Sequence, residues 1–290
     1  MQSIHDLIRI SKEEKPVFIQ THDFPDHDAI SAAYGLQFLL AHYDISSYIV
    51  YTGTIQRDSL LRMIRELDIP VYHAMVCTIE PKHKIIVVDG CKGNKNVSDL
   101  KGEEIAVIDH HNSRAPDDVS FVDIRPDYGS TSTIINTYLE ECNIEPSEAI
   151  ASALLIGLIL DTSHLTRGIS KADLMCHTTL FEKADIQFVN RLLRNNIQQQ
   201  DLRYFRKALE KAAIQERFAF CFFEEGCNQN LLGIIANFFL SVQEVNFVFL
   251  CAQNGNKVNF SLRSEEPRWN AADIIRTIMG GIVFGGGHPD

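Results

Sequence analysis

Ile85-Ile86-Val87-Val88-Asp89 and Ile105-Ala106-Val107-Ile108-Asp109-His110-His111 decide the fold. Each is a short, β-rich run, apolar at every position, that ends in an acid. Continuous apolar runs of this length read as strands of a parallel sheet buried on both faces. Val17-Phe18-Ile19 is a third such run, and His22, Asp26 and Asp28 follow it. Open α/β sheets bind ligands in the crevice beyond the carboxyl ends of their strands. Three runs therefore deliver Asp and His to one crevice, and the apolar stretch 154–160 adds Asp161 at its end.

Helical patterns lie between these runs. Residues 28–42 place Ala29, Ala32, Ala33, Leu36, Leu39 and Leu40 at helical spacing. A strand at 46–51 follows, then a helix near 57–67 with Pro70 beyond its end. Gly129-Ser130-Thr131 opens a helix near 133–141 with a hydroxyl available as N-cap, and Ser147 starts the helix that reaches Asp161. This alternation predicts an α/β fold: a doubly wound, mainly parallel sheet in an N-terminal domain over 1–185. Residues 186–213, with Arg191, Arg194, Arg203, Arg206 and Lys207, read as a polar helical linker. Residues 214–290 read as a smaller α/β domain, with strands at 217–223, 245–252 and 257–263 and helices at 231–240 and 270–279. Asn254-Gly255 marks a hairpin turn. In the last strand Val258, Phe260 and Leu262 share one face, which puts Arg263 on the other, open face.

Composition is that of an ordinary globular protein, 45% hydrophobic and 22% charged. The longest apolar stretch, 149–160, is broken by Ser152 and falls short of the roughly 20 residues of a membrane-spanning helix. The first 16 residues lack the apolar core of a secretory leader. Seven cysteines form no C-x-x-C pair and are odd in number, as expected of reduced, packing thiols in a cytoplasmic protein. The net charge is −11, and it is unevenly spread: residues 1–190 carry 16 basic and 28 acidic residues, residues 191–290 carry 11 and 10. An acidic half argues against stable duplex nucleic-acid binding, which needs a basic face. A small anionic ligand remains compatible where cations and a few Arg reverse the local sign.

Taken singly, an Asp after a strand is most often a turn residue or a helix N-cap. Six Asp and His residues in four clusters at strand and helix ends are a different matter. Carboxylates crowded into one crevice raise one another's pKa and oppose folding, and a cation resolves the conflict. Asp and His without Cys suit Mn²⁺, Mg²⁺ or Co²⁺ better than structural zinc. The donors suffice for two divalent ions, the arrangement used in phosphoester hydrolysis.

In order, these motifs resemble those of the DHH phosphoesterases, named after the tripeptide present here as Asp109-His110-His111. The first family motif appears as His22-Asp23-Phe24-Pro25-Asp26-His27-Asp28-Ala29, the second as Asp89, and the fourth as Gly157-Leu158-Ile159-Leu160-Asp161-Thr162. Downstream, Ser261-Leu262-Arg263-Ser264 and Gly285-Gly286-Gly287-His288 resemble the family's associated substrate-binding domain. The resemblance implies that His22, Asp26 and Asp89 hold one metal, and that Asp28, Asp89, His110 and Asp161 hold the other, with Asp89 bridging. It implies that Asp109 supports the site and that His111 contacts the scissile phosphate or assists the leaving group. Arg263 with Gly285, Gly286, Gly287 and His288 would bind the nucleotide or its terminal phosphate. His27 stands where the family often has glycine.

Within the family, the two-domain chain is most similar to the nanoRNase and pAp-phosphatase (RecJ-like) branch. The expected activity is hydrolysis of short oligoribonucleotides, of adenosine 3',5'-bisphosphate (pAp), or of both, through a dimetal-bridged hydroxide with Mn²⁺ as the first choice of ion. The expected partners are a short RNA or nucleotide, with no membrane, and a homodimer is compatible with the sequence. A pyrophosphate or polyphosphate hydrolase is the alternative in the same chemical class, and a non-catalytic nucleotide sensor is the alternative in another.

Overall fold

The computed structural model describes residues 3–13, 16–114, 116–194, 197–266, 268–269, 271, 274–275 and 277. The chain divides into two compact units, Met1–Asn196 and Ile197–Asp290. In the first, the elements run α1 (Ile4–Ser11), β1 (Val17–Gln20), α2 (His27–Ala41), β2 (Ser47–Tyr51), α3 (Asp58–Glu66), β3 (Val71–His73), β4 (Lys84–Val88), β5 (Glu103–Asp109) and β6 (Phe121–Ile124). Four helices follow: α4 (Thr131–Glu141), α5 (Glu148–Asp161), α6 (Lys171–Phe181) and α7 (Ile186–Arg194). The strands form one six-stranded sheet in the order β3-β2-β1-β4-β5-β6, and every pairing is parallel. This is the α/β sheet with doubly wound strand order that the apolar runs predict.

The runs are apolar throughout because both faces of the sheet are covered. Ile19, Ile49, Ile86 and Ile108 pack into the helical layer, where α2 lies against α4 and α5. Phe18, Val50, Ile85, Val87 and Val107 point the other way and bury Ala74, Cys91 and Val97 from the loops. Phe188, Val189 and Leu192 of α7 belong to the same core as the other helices, so this outwardly polar helix has a buried apolar edge. All seven cysteines are free thiols. Among the described residues no helix is long and apolar enough to cross a membrane.

The second unit contains α8 (Leu202–Lys211), β7 (Ala213–Gln215), β8 (Phe218–Phe223), α9 (Gln229–Leu240), β9 (Phe247–Asn254) and β10 (Lys257–Ser264). Its sheet order is β10-β9-β8-β7, with β8 and β9 parallel and the outer pairs antiparallel. Val248, Leu250 and Ala252 of β9 form a core with Leu232, Ile235 and Ala236 of α9. On the opposite face the aromatic residues of neighbouring strands pack together, Phe218 tilted against Phe247 and Phe220 stacked on Phe249.

Arg263 does not sit where strand alternation puts it. Directly paired residues share a face, and Arg263 pairs with the buried Val248. It is therefore on the side covered by α9, with Nε 3.1 Å from Asn237 Oδ1 and its guanidinium beside Gly233. The expectation of an open face failed because both faces of this sheet are apolar, so polarity along one strand does not tell which face the helix covers. The helix expected over 270–279 falls largely outside the described residues, and Gly285, Gly286, Gly287 and His288 fall wholly outside them.

Candidate metal centre

The strand order reverses between β1 and β4, and the residues picked out by the sequence gather at the carboxyl ends of these strands. His22 follows β1, Asp89 follows β4 directly, and His110 follows Asp109 at the end of β5. Asp26 is the N-cap of α2, Asp28 lies in its first turn, and Asp161 ends α5. Ligand atoms of His22, Asp26 and Asp89 lie within 4.8 Å of one another. The same holds for Asp28, His110 and Asp161, and for Asp89, His110 and His111.

Asp89 joins these groups. One oxygen, Oδ2, lies 3.7 Å from His22 Nε2, and the other, Oδ1, lies 3.7 Å from His110 Nε2. Its backbone makes that aim possible. The N–H still donates to Ile108 O across the sheet at 2.9 Å, and the chain then turns left-handed at φ 56°. Asp is one of the few side chains that tolerates this conformation.

The neighbouring donors are placed by equally local means. Asp26 Oδ1 accepts from the N–H groups of Asp28 and Ala29 at 3.0 and 3.1 Å, capping α2. Asp28 accepts from the N–H groups of Thr131 and Ser132, at 2.7 and 2.9 Å, at the start of α4. The close approach behind it needs Gly157, where an added Cβ would collide with Ser132 Oγ and lie 3.0 Å from Asp28 Oδ1. His110 Nδ1 is 3.2 Å from Tyr128 O, which fixes the proton on Nδ1 and leaves Nε2 facing Asp89 and Asp161 as a ligand atom.

His111 is different. It is nearly half exposed, and its Nδ1 lies 2.9 Å from Asp109 Oδ1. Asp109, fully buried, also accepts from the His111 N–H at 3.1 Å and from Ser113 Oγ at 2.8 Å. Burial would lower His111, but its hydrogen bond to Asp109 and the charge of Asp89 raise it to about 9. It stands at the edge of the site as a cation held from behind.

His27 is buried, and it stays neutral because burial and then the Arg57 charge push it down to about 3.

The electrostatics test whether this set fits cations. Burial, and then the charges of Asp28 and Asp26, raise Asp89 well above the ordinary carboxylate value. Burial, and then Asp161, raise Asp28 to about 6. Desolvation opposes a charge on His110, yet its hydrogen bond with Asp161 and the charge of Asp89 hold it well above an ordinary imidazole. Without ions, then, the site retains protons on groups that elsewhere would release them. Protons stand in for missing positive charge, and two divalent ions would displace them. The residues fit the ions.

One consequence can be measured on the metal-free protein. Asp28 goes from 3.8 to about 6 on folding, so the folded chain binds this proton more tightly than the unfolded chain. The stability this contributes is complete below about pH 4 and is lost as the pH rises through about 6. In chelator, the Tm of Asp28→Asn will therefore gain on that of the wild type as the pH is raised across this window. Parallel melting curves would show that Asp28 is not raised.

Several supporting groups escaped the sequence reading. Thr131 Oγ1 donates to Asp89 Oδ1 at 2.8 Å, and Asp23 binds Ser98 N–H and hydroxyl at 2.9 Å each and also the Thr52 hydroxyl, tying the ends of β1 and β2 to the 91–98 loop. The hydroxyl-rich run 130–133 was visible only as a helix start.

Residues 16–158 match the family model described as the DHH family, N-terminal domain, and residues 215–290 match the DHHA1 domain. The chain belongs to the DHH family. An uncharacterized protein of Methanocaldococcus jannaschii is 30% identical over 281 residues, covering 96% of this chain and 58% of its own length. A probable manganese-dependent inorganic pyrophosphatase of Streptococcus thermophilus is 28% identical over 149 residues, 50% of this chain and 48% of that protein. The chain thus spans about half the length of the curated relatives it matches. The crystal structure of an exopolyphosphatase-related protein from Bacteroides fragilis superposes with a TM-score of 0.79 at 18% identity, over 99% of this chain and 88% of that one. That likeness is one of fold.

Proposed function

We propose that this DHH protein is a metal-dependent phosphoesterase that hydrolyses short oligoribonucleotides, pAp or both. The observation that carries the reading is the meeting of His22, Asp26 and Asp89 with Asp28, His110 and Asp161 at the strand-order reversal, with the two oxygens of Asp89 turned to opposite sides. His22, Asp26 and Asp89 would hold one ion, and Asp28, Asp89, His110 and Asp161 the other. Two divalent ions, with Mn²⁺ the first choice and Mg²⁺ or Co²⁺ the alternatives, would acidify a water and neutralise charge on the phosphoryl oxygens. The chain's own groups do the rest. His111, held cationic by Asp109, contacts a phosphoryl oxygen or gives its proton to the leaving oxygen. Asp109 keeps that imidazole oriented. Arg263, fixed by Asn237, binds the terminal phosphate or stacks on the base, and the Gly285–Gly287 backbone with His288 completes that contact.

A nucleotide is favoured over pyrophosphate because the similarity to the pyrophosphatase ends at half of this chain, while residues 215–290 match a DHHA1 domain. The pyrophosphatase similarity itself favours the second reading, a pyrophosphate or polyphosphate hydrolase. A panel with Mn²⁺ separates them: a 5'-labelled RNA trimer, pAp, pyrophosphate and a long single-stranded DNA, each with wild type and Arg263→Ala. We expect turnover of the trimer and pAp, and a rise in KM for both in the variant with kcat little changed. Turnover of pyrophosphate alone would move the assignment to the second reading. Two bound ions with silence on every substrate would favour a nucleotide sensor.

A further inference from the structure

The six ligand residues come from separate stretches, yet residues 128–133 touch three of them. Tyr128 O meets His110 Nδ1, Thr131 Oγ1 donates to Asp89, and the N–H groups of Thr131 and Ser132 donate to Asp28. Whatever fixes this segment therefore sets the aim of half the centre. Within the segment, Ser130 caps α4 by accepting from the Thr133 N–H at 3.1 Å. From behind, the segment is held by Asp173.

Asp173 lies in the first turn of α6 and is fully buried. Its two oxygens each accept from the Gly129 N–H at 3.0 Å, and Oδ1 also accepts from Thr133 Oγ1 at 2.6 Å. Oδ2 takes the Ser170 N–H and hydroxyl at 2.7 and 2.6 Å, closing the α6 capping box. A capping box needs only the Ser170 contacts. Here the same carboxylate reaches another helix and grips both sides of the Ser130 cap. The fit is close: a Cβ on Gly129 would lie 2.6 Å from Thr162 Cγ2 and 3.2 Å from Asp173 Cγ. Asp173 also lies beyond the stretch 16–158 that matches the DHH model.

We infer that Asp173 is a positioning residue for the metal centre, acting through residues 128–133 on Asp28, Asp89 and His110. The inference rests on the preceding section only for the ligand set, and not on any substrate. Every contact of the carboxylate is with a donor. An amide in its place keeps one acceptor oxygen, so its N–H faces a backbone N–H of Gly129 or Ser170 and a hydroxyl that must turn round to accept, and the buried N–H that loses its acceptor shifts the segment to find a partner.

The test is calorimetric titration of Mn²⁺ into metal-free full-length protein, with electron paramagnetic resonance to report whether two ions are spin-coupled. Wild type takes up two ions. Asp173→Asn and Thr133→Val will weaken the ion on Asp28, His110 and Asp161 by roughly 10–100-fold, the usual effect of losing an outer support. The ion that also uses His22 and Asp26 will lose less, and the coupled signal will fade at ion levels that saturate wild type. Ser170→Ala weakens the α6 cap without touching residues 128–133. It will lower Tm and leave both affinities in place. Wild-type affinities in both Asp173→Asn and Thr133→Val, whatever their Tm, would make Asp173 a structural cap and overturn the inference alone. Should Asp173→Asn fail to fold, the isosteric Thr133→Val decides by itself. A wild-type protein that binds fewer than two ions would overturn the metal centre and this inference together.

Discussion

Asp89→Asn will leave the N-terminal unit folded and cut phosphoester turnover by at least about 10³-fold, since an ion's share of transition-state stabilisation is several kcal/mol and each 1.36 kcal/mol is tenfold. The choice of Asn matters. The residue sits at φ 56°, where Asn is tolerated and Ala is strained, and the amide oxygen still accepts from Thr131 Oγ1. Backbone strain and the Thr131 contact are thereby held constant, and the change is confined to the carboxylate that faces both His22 and His110. In chelator the variant will melt no lower than wild type, because it removes a carboxylate that burial and the charges of Asp28 and Asp26 disfavour. Phosphate release at saturating Mn²⁺, alongside circular dichroism, checks both halves. Activity within tenfold of wild type would mean that Asp89 bridges nothing in the reaction.

Chelation of the wild type at neutral pH will lower the melting transition of the N-terminal unit by roughly 10–20 °C. An ion present at about 100 times its Kd stabilises by about 2.7 kcal/mol, and each kcal/mol moves Tm by about 2–4 °C for a unit of this size, so two ions give this range. The direction follows from the site. Asp28 and Asp89 disfavour the ionised form when buried together, and ions remove that penalty. The effect will be larger at pH 8 than at pH 5, because protons compete with the ions for Asp28, Asp89 and His110. Differential scanning calorimetry with and without chelator, followed by Mn²⁺ back-titration, measures it. A Tm unmoved by chelator at either pH would remove the ions from the account of this fold.

The sequence by itself determined the main sheet. Runs such as 85–88 and 105–108 are apolar at every position because both faces of the strand are covered. The strand-end acids were legible for the same reason: a carboxylate directly after a buried run has to be placed at the crevice, and four carboxylates gathered there with two His need a cation. Other elements were too short or too mixed to announce themselves. The edge strand β3 has three residues, none of them buried, and β6 alternates in burial and has only four residues. The polar surface of α7 masked Phe188, Val189 and Leu192.

Tertiary structure alone decided which partners those residues meet. Arg263 went to the α9 side because its strand pairs with Val248, and strand polarity could not weigh two apolar faces against each other. Asp28 takes its hydrogen bonds from residues 103 and 104 positions away, and Asp173 reaches back 44 and 40 positions to Gly129 and Thr133. Periodicity reports what each residue must bury. It carries no information about which backbone N–H or carbonyl will arrive opposite a buried polar group, because that depends on how helices pack once the sheet has formed. The candidate ligands of this centre are therefore written in the sequence, and the supports that aim them are products of the packing.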